Sequence, residues 1–407
     1  MSAKPSGGLW LRLFLPFAIG YLLSYLFRTS NAVIGPVVAR DLALADHALG
    51  LLTSTYFLAF GAAQLPLGIL LDRYGPRRVE SILLLIAAAG AAVFALADDL
   101  AGLAFGRALI GLGVSACLMA AFKAFYQWFA PERQPSLIGW IMAAGGLGAI
   151  FAAQPLESAV EAAGWRGVML GLGGLTAAAA LLIWRSVPDR NDGSPGSGWA
   201  EQMAGVRQIL VDPGFWRYAP MVLTCIGGFM AIQGLWVSRW MAEVGALSRS
   251  LIAQQLTWMN GAMLAGCLFM GFMTTRLIRR GVPATRILGI AATMTVLVFG
   301  AINALGARGP GWLWAALAFF FPLNNISYAI VAQSLHPSLA GRANTALNLA
   351  AFVGAFGLQW GMGVVVDGMR IVGLSTSAAY RATFLGVLLL QAAGLIWMFV
   401  AARRTRG

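Results

Sequence analysis

Apolar runs of about 20 or more residues, each long enough to cross the hydrocarbon of a bilayer as an α-helix, recur along the chain from Leu9 to Ala402. The composition agrees with this pattern, because 59% of the 407 residues are hydrophobic and only 11% are charged. Soluble domains usually contain about 25% charged residues. The sequence therefore predicts an all-α integral membrane protein.

The apolar runs are separated by short connectors rich in turn and capping residues, such as 131–136 and 374–377. Short connectors make consecutive helices antiparallel neighbours. We predict twelve membrane-spanning helices, at 11–38, 48–71, 77–96, 101–128, 136–160, 166–187, 216–243, 252–279, 284–306, 311–334, 341–368 and 378–402.

The positive charge of the chain follows the predicted topology. The net charge is +13, and if the N-terminus is cytoplasmic, most of the 28 Lys and Arg residues fall on the cytoplasmic side. This bias follows the positive-inside rule, so we expect a bacterial inner-membrane protein with both termini in the cytoplasm. The charge therefore reflects a lipid bilayer setting and does not indicate a nucleic-acid partner.

The longest polar segment, residues 186–216, lies between the sixth and seventh predicted spans and is rich in Gly, Ser, Pro and Asp. Such a composition is typical of a linker. We predict an N-terminal six-helix bundle over 1–187, a cytoplasmic linker over 188–214 and a C-terminal six-helix bundle over 215–407.

The two predicted halves resemble each other in sequence. Residues 132–151 align with 341–360, so that Gly145 pairs with Gly354 and Gly148 pairs with Gly357. A repeat of six spans about an axis along the membrane normal is a transporter architecture. In that architecture the substrate site lies near the membrane midplane between the halves.

The segment 68–79, GILLDRYGPRRV, joins the second and third predicted spans on the cytoplasmic side. Gly68 permits a close helix approach, Asp72 can pair with an arginine or cap a helix, and Gly75 with Pro76 makes a tight turn. On spacing alone, a charged hairpin that only obeys the topology rule explains the segment equally well.

The same segment resembles the signature loop of the major facilitator superfamily, G-x-L-x-D-R-x-G-R-[RK]. Pro76 stands where that pattern has its first basic residue, and the matching second-half loop has Thr275 in place of the aspartate. The stretch RALIGLGVS at 107–115 is similar to the superfamily's fourth helix. The resemblance implies two pseudo-symmetric bundles, alternating access, and a gating loop formed by Gly68, Asp72, Arg73, Gly75, Arg77 and Arg78.

Arg28 lies near the middle of the first apolar run, where a charge costs roughly 2.5–3.5 kcal/mol on insertion scales. It should therefore face the protein interior or water. Tyr21, Ser24, Tyr25 and Asn31 share its helical face. This stripe is either a cavity wall or a hydrogen-bond seam between helices. The predicted substrate-binding residues are Tyr25, Arg28, Asn31, Tyr56, Gln233, Trp236, Asn324, Asn325 and Tyr328.

The guanidinium of Arg28 is a fork that matches a carboxylate or a phosphate, although it could instead pair with a backbone carbonyl or a helix end. Tyr25-x-x-Arg28 resembles the first helix of the organic-anion and organophosphate branches of the superfamily. The organophosphate branch adds an arginine on helix seven, where this chain has Gln233. A monoanionic carboxylate is therefore the expected ligand. Lys123 is interpreted as snorkelling to the interface, and Arg107 as structural.

The acidic residues are all placed at loops or helix ends, with Glu157, Glu243 and Asp367 the deepest, so no proton carrier is identified. The sequence has no P-loop, no catalytic cluster and only two histidines, which predicts neither an enzyme nor a cofactor or metal site. The expected function is secondary transport of a small organic anion by a monomer, with proton coupling as one energy source. The alternatives are a multidrug or metabolite efflux transporter and a transporter-like sensor.

Overall fold

The computed structural model describes residues 7–129, 134–188, 207–334 and 340–404. These residues form helices joined by short connectors, with no β-strand among them, so the all-α fold class is confirmed. Ten of the helices are long and apolar enough to cross a membrane. Residues 189–206, which make up most of the predicted linker 188–214, lie outside the described residues.

The helices before and after the linker are treated as an N-terminal and a C-terminal half. The N-terminal half contains α1 (Gly7–Thr29), α2 (Asn31–Asp41), α3 (Asp46–Leu96), α4 (Leu100–Gly113), α5 (Cys117–Trp128), α6 (Gln134–Phe151) and α7 (Gln154–Ser186). The C-terminal half contains α8 (Pro213–Met221), α9 (Gly227–Ala231), α10 (Val237–Glu243), α11 (Arg249–Arg279), α12 (Ala284–Leu305), α13 (Trp312–Phe320), α14 (Ile326–Ser334), α15 (Ala340–Ile371) and α16 (Thr376–Arg404).

Two long helices are broken by a glycine. In α3 the backbone leaves the helix at Gly75, with φ 78° and ψ 160°, and in α7 it does so at Gly164, with φ 68° and ψ 162°. Glycine adopts positive φ without the steric cost of a Cβ. The predicted count of twelve spans is met only if the segments on the two sides of these glycines are counted separately.

Segments α8, α9 and α10 form one continuous rod that contains two π-helical turns, Val222–Ile226 and Ile232–Trp236. Segments α13 and α14 are joined in the same way by a 3₁₀ turn at Phe321–Asn325. A π turn holds more residues than an α turn, so it changes which side chains share a helix face.

Close backbone packing reveals the register of the internal repeat. At Gly148 on α6, a Cβ would overlap the carbonyl of Leu22 on the first span, and at Gly354 on α15 a Cβ would overlap the carbonyl of Leu223 on the seventh. Gly357 has open space around it. The structure therefore pairs Gly148 with Gly354, three residues out of register from the sequence pairing of Gly148 with Gly357.

The two halves meet along several helix pairs. Helix α3 runs along α15, α6 and the start of α7 run along α11, and α2 packs against the second π turn. These contacts place the side chains of α1, α3 and α15 around a common space between the halves.

Candidate functional site

Arg28 lies between the two halves in a ring of aromatic side chains. Its guanidinium carbon is 4.8 Å from the ring centre of Tyr25, 5.1 Å from that of Phe60 and 5.8 Å from that of Phe352. Phe60 belongs to α3 and Phe352 to α15, and their rings stack at 4.6 Å across the interface. Cation–π contacts of this kind contribute about 0.5–2 kcal/mol each. The three aromatic side chains surround the positive charge of Arg28 but do not neutralise it.

The guanidinium of Arg28 has no carboxylate partner among the residues that the structure describes, and the Tyr56 side chain lies close enough to interact with it electrostatically. Its Nε is buried and without a partner, and the side chain as a whole is half-buried. A buried donor that is left unsatisfied costs about 1–3 kcal/mol. An anionic ligand would supply the missing acceptor.

Tyr56 and Arg107 support the ring from the N-terminal half. The Tyr56 hydroxyl is buried and has no hydrogen-bond partner in the described part of the chain. The guanidinium of Arg107 lies 5.0 Å from the Tyr56 ring centre, and its Nη2 donates to the Phe27 carbonyl at 2.9 Å. Arg107 therefore braces α1 beside Arg28, in agreement with its interpretation as a structural residue.

Tyr328 contributes from the C-terminal half. It lies close enough to Arg28 for an electrostatic interaction, and its hydroxyl donates to Asn348 Oδ1 at 3.4 Å. Phe352, which the predicted site did not include, follows Asn348 by one helical turn on α15. The helical step from Asn348 was the sequence signal that could have identified it. The structure thus brings together the predicted residues Tyr25, Arg28, Tyr56 and Tyr328.

Other predicted residues are engaged elsewhere. Gln233 Nε2 donates to Asn260 Oδ1 at 2.9 Å. Trp236 Nε1 donates to the Gln359 carbonyl at 3.0 Å. Asn324 Nδ2 donates to Thr295 Oγ1 at 3.1 Å. These side chains form hydrogen-bond seams between helices.

Two further predicted residues are placed apart from these seams. Asn31 is buried on α2 with an unpartnered Nδ2 among the described residues, and Asn325 is half-buried at the end of its 3₁₀ turn.

Ion pairs join the two halves at the end of the molecule that carries the connectors 42–45 and 372–375. Asp46 at the start of α3 contacts Arg239 at 2.6 Å and Arg370 at 3.5 Å. Glu157 contacts Arg249 at 2.6 Å on the neighbouring α7–α11 interface. These pairs close this end of the interface between the halves.

A second pair of groups lies beside Asp46. The backbone nitrogen of His47 donates to Asp367 Oδ2 at 2.7 Å, and His47 Nδ1 lies 2.8 Å from the same oxygen. Tyr380 accepts a hydrogen bond from Arg239 Nε at 3.0 Å. Three helices of the C-terminal half, α10, α15 and α16, therefore converge on the first turn of α3.

The predicted gating loop lies at the opposite end of the helices. Asp72 forms an ion pair with Lys123 on α5, a partner that the interpretation of Lys123 as snorkelling did not include. Gly75 makes the break in α3, and the guanidinium of Arg77 stacks on Trp184 of α7 at 5.3 Å. The remaining members are exposed on the same loop, namely Gly68, Arg73 and Arg78.

The described residues contain no group of three His, Cys, Asp or Glu side chains that could hold a metal ion. The side chains around Arg28 form a cationic and aromatic surface between the two halves.

Known proteins resemble this chain in sequence. A probable L-galactonate transporter of Escherichia coli (strain K12) is 28% identical over 152 residues, which cover 37% of this chain and 34% of the relative. A chloramphenicol resistance protein of Pseudomonas aeruginosa is 28% identical over 297 residues, which cover 68% of this chain and 67% of the relative. The first match thus spans about a third of that relative's length.

A solved structure resembles the whole fold. A bacterial homologue of the human lysosomal transporter Spinster, in an inward-facing and unoccupied conformation, superposes with a TM-score of 0.77 and 17% identity, covering 99% of this chain and 98% of that chain. The family model described as Major Facilitator Superfamily matches residues 17–358. The chain is a multi-pass membrane protein and belongs to the Major Facilitator Superfamily.

Proposed function

We propose that this protein is a secondary transporter that carries a small organic anion, with one carboxylate, across the bacterial inner membrane by alternating access. The observation that supports this proposal is the guanidinium of Arg28, which lies between the halves without an anionic partner in the described part of the chain. The similarity to a probable L-galactonate transporter points to the same class of substrate.

A single negative charge suits the site better than two. Arg107 is the other arginine near Arg28, and it already donates to the Phe27 carbonyl. Gln233, on the seventh span where the organophosphate branch has its second arginine, is neutral and donates to Asn260 Oδ1. A second anionic group on the ligand would therefore meet aromatic rings instead of a second free cation.

The conformation follows from the membrane topology that we propose. With both termini in the cytoplasm, the end closed by Asp46, Arg239 and Arg370 faces outward. The described ion pairs between the halves lie at that end, and we propose that the site is reached from the cytoplasm. One chain supplies both faces of the site, so a monomer is sufficient for transport.

An efflux transporter is the second candidate. The chloramphenicol resistance protein aligns over more of this chain than the L-galactonate relative does, and aromatic rings surround Arg28. Such rings can also bind a neutral aromatic drug. Export of chloramphenicol that is insensitive to loss of the Arg28 charge would favour this candidate.

Counterflow in proteoliposomes tests the proposal. The purified protein is reconstituted with a panel of monocarboxylates that includes L-galactonate, and exchange is measured for wild type, Arg28→Gln and the control Arg308→Gln. Arg308 is an exposed arginine on the connector after α12. We expect exchange in wild type and the control and its loss in Arg28→Gln. Carboxylate exchange that survives in Arg28→Gln would contradict the anion assignment.

A further inference from the structure

Glu80 lies on α3 shortly after the break at Gly75, and its side chain is fully buried. Neither carboxyl oxygen has a hydrogen-bond partner among the residues that the structure describes. A buried carboxylate without a donor or a counter-charge is so unfavourable that the group takes up a proton instead. Glu80 is therefore protonated in this conformation. Glu80 was not among the acidic residues expected to be deepest, although its side chain is fully buried.

The surroundings of Glu80 offer no compensating charge. On α1 it faces Gly20, where a Cβ would overlap Glu80 Oε1. Cys117 on α5 is the only titratable side chain of the neighbouring described helices that interacts with it. Of the basic residues close to it on its own helix, Arg77 lies against the ring of Trp184 and Arg78 is exposed. No basic side chain of the described residues acts on this carboxyl, so a proton is what can neutralise it there.

The side chains of Cys117 and Ser24 extend from Glu80 towards the Arg28 site. Cys117 interacts both with Glu80 and with the hydroxyl of Ser24 on α1. Ser24 also donates to the Val114 carbonyl at 3.3 Å, and it precedes Arg28 by one helical turn. Helix α1 thus carries both the glycine that covers Glu80 and the arginine that faces the site. A movement of α1 within its half changes the surroundings of both groups together.

We propose that Glu80 is the proton-binding site of this transporter, and that one proton moves with each monoanion. This inference rests on the proposed transport function. With the anion on Arg28 and the proton on Glu80, the two positions together carry no net charge. With both released, the positive guanidinium and the negative carboxylate again sum to zero. The half-loaded states carry a net charge, which is costly inside a membrane protein.

This charge balance explains how binding of the two substrates would be coupled. In the present conformation Glu80 is protonated and Arg28 has no anion among its described neighbours, so the pair carries a net positive charge. That state favours binding of an anion. If Glu80 lost its proton before an anion bound, the carboxylate would need a water molecule or a new hydrogen-bond donor. Gly20 packs against the carboxyl and leaves no room for either in this conformation.

The first experiment separates coupling from exchange. The probe is the monocarboxylate of the panel that gives the fastest counterflow in wild type, and the variants are Glu80→Gln and the control Asp98→Asn. Asp98 is exposed and pairs with Arg166 within the N-terminal half. Because glutamine resembles a protonated glutamate, we expect Glu80→Gln to keep counterflow and to lose accumulation driven by a pH gradient. Asp98→Asn should keep both.

The outcomes distinguish the two proposals. No counterflow in wild type for any monocarboxylate would contradict the transport function itself. Counterflow in wild type together with unchanged gradient-driven accumulation in Glu80→Gln would overturn the role of Glu80 alone.

A second measurement uses only the wild-type protein, in case Glu80→Gln fails to fold. Entry of the probe into weakly buffered liposomes should make the external medium more alkaline, with one proton for each anion. An imposed membrane potential should leave the rate unchanged, because the co-transported charges cancel. Probe entry without proton movement, or entry driven by the potential, would overturn the proposal.

Discussion

The guanidinium of Arg239 lies 2.6 Å from the carboxylate of Asp46, and this ion pair ties the C-terminal half of the protein to the N-terminal half. Asp46 is only 2% exposed and also lies 3.5 Å from Arg370. Removing one partner of a buried ion pair costs about 3–5 kcal/mol, because the other charge stays buried and unpaired. Asp46 is therefore the carboxylate that holds two arginines of the C-terminal half at this end.

Replacing Asp46 with asparagine should open this end of the interface. Thr53, one to two turns further along α3, is buried and accepts a hydrogen bond from Gln359 of the other half. In a background without native cysteines, we expect a cysteine at position 53 to react with a maleimide at least about tenfold faster after Asp46→Asn, the equivalent of 1.4 kcal/mol. Asp98→Asn is the matched control, and equal rates in both variants would contradict the closing role of Asp46.

Substitutions of Arg28 should reduce anion affinity in a graded way. Lysine keeps the charge but lacks the fork that matches a carboxylate, so we expect about tenfold weaker binding in Arg28→Lys. Glutamine removes the charge, and we expect about a hundredfold loss, since hydrogen bonds to charged groups contribute about 1.5–3 kcal/mol. Isothermal titration with the probe monocarboxylate measures both. Equal affinities for the lysine and glutamine variants would show that the charge is not what the ligand recognises.

Two nearby glycines of α15 should differ sharply in their tolerance of alanine. A Cβ at Gly354 would overlap the Leu223 carbonyl, whereas Gly357 has open space around it. Overpacking typically costs about 1–3 kcal/mol. We therefore expect Gly354→Ala to lower the midpoint of thermal unfolding in detergent and Gly357→Ala to leave it unchanged. Gly148→Ala on α6 should behave like Gly354→Ala, and the reverse ranking would refute the repeat register.

The ion pair between Asp72 and Lys123 can be measured by a double-mutant cycle. Both side chains are partly exposed, so we expect a coupling energy of about 0.5–1 kcal/mol in the free energy of unfolding. Asp72→Asn and Lys123→Gln should each lower stability, and the double variant should lose less than the sum of the two. Additive effects would mean that the pair contributes nothing to the fold.

The sequence predicted the parts of the site that repeat along an α-helix. Tyr25 and Arg28 share one face of α1, and Tyr56 was found by the same step on the next span. The break at Gly75 was predicted as a tight turn, because glycine and proline restrict the backbone in known ways. In these places a local pattern determines the structure.

The rest depends on contacts that a local pattern does not contain. Gln233 and Trp236 were assigned to the site by their expected depth on the seventh span, but both lie in the second π turn of that span, which changes the face on which side chains lie. Glu80 follows Arg77 and Arg78 closely in sequence, and it was expected to lie at a helix end. Its burial depends on Gly20, which lies on a different helix.

Three of the ion pairs at the closed end share one polarity, since Asp46 and Glu157 belong to the N-terminal half while Arg239, Arg249 and Arg370 belong to the C-terminal half. In the His47–Asp367 contact beside them the acid belongs to the C-terminal half. Two N-terminal halves facing each other would oppose like charges there, and so would two C-terminal halves. Like-charge contacts of this kind suppress wrong partners at an interface. We therefore expect the N-terminal and C-terminal halves, expressed as separate polypeptides, to assemble with each other and not with themselves.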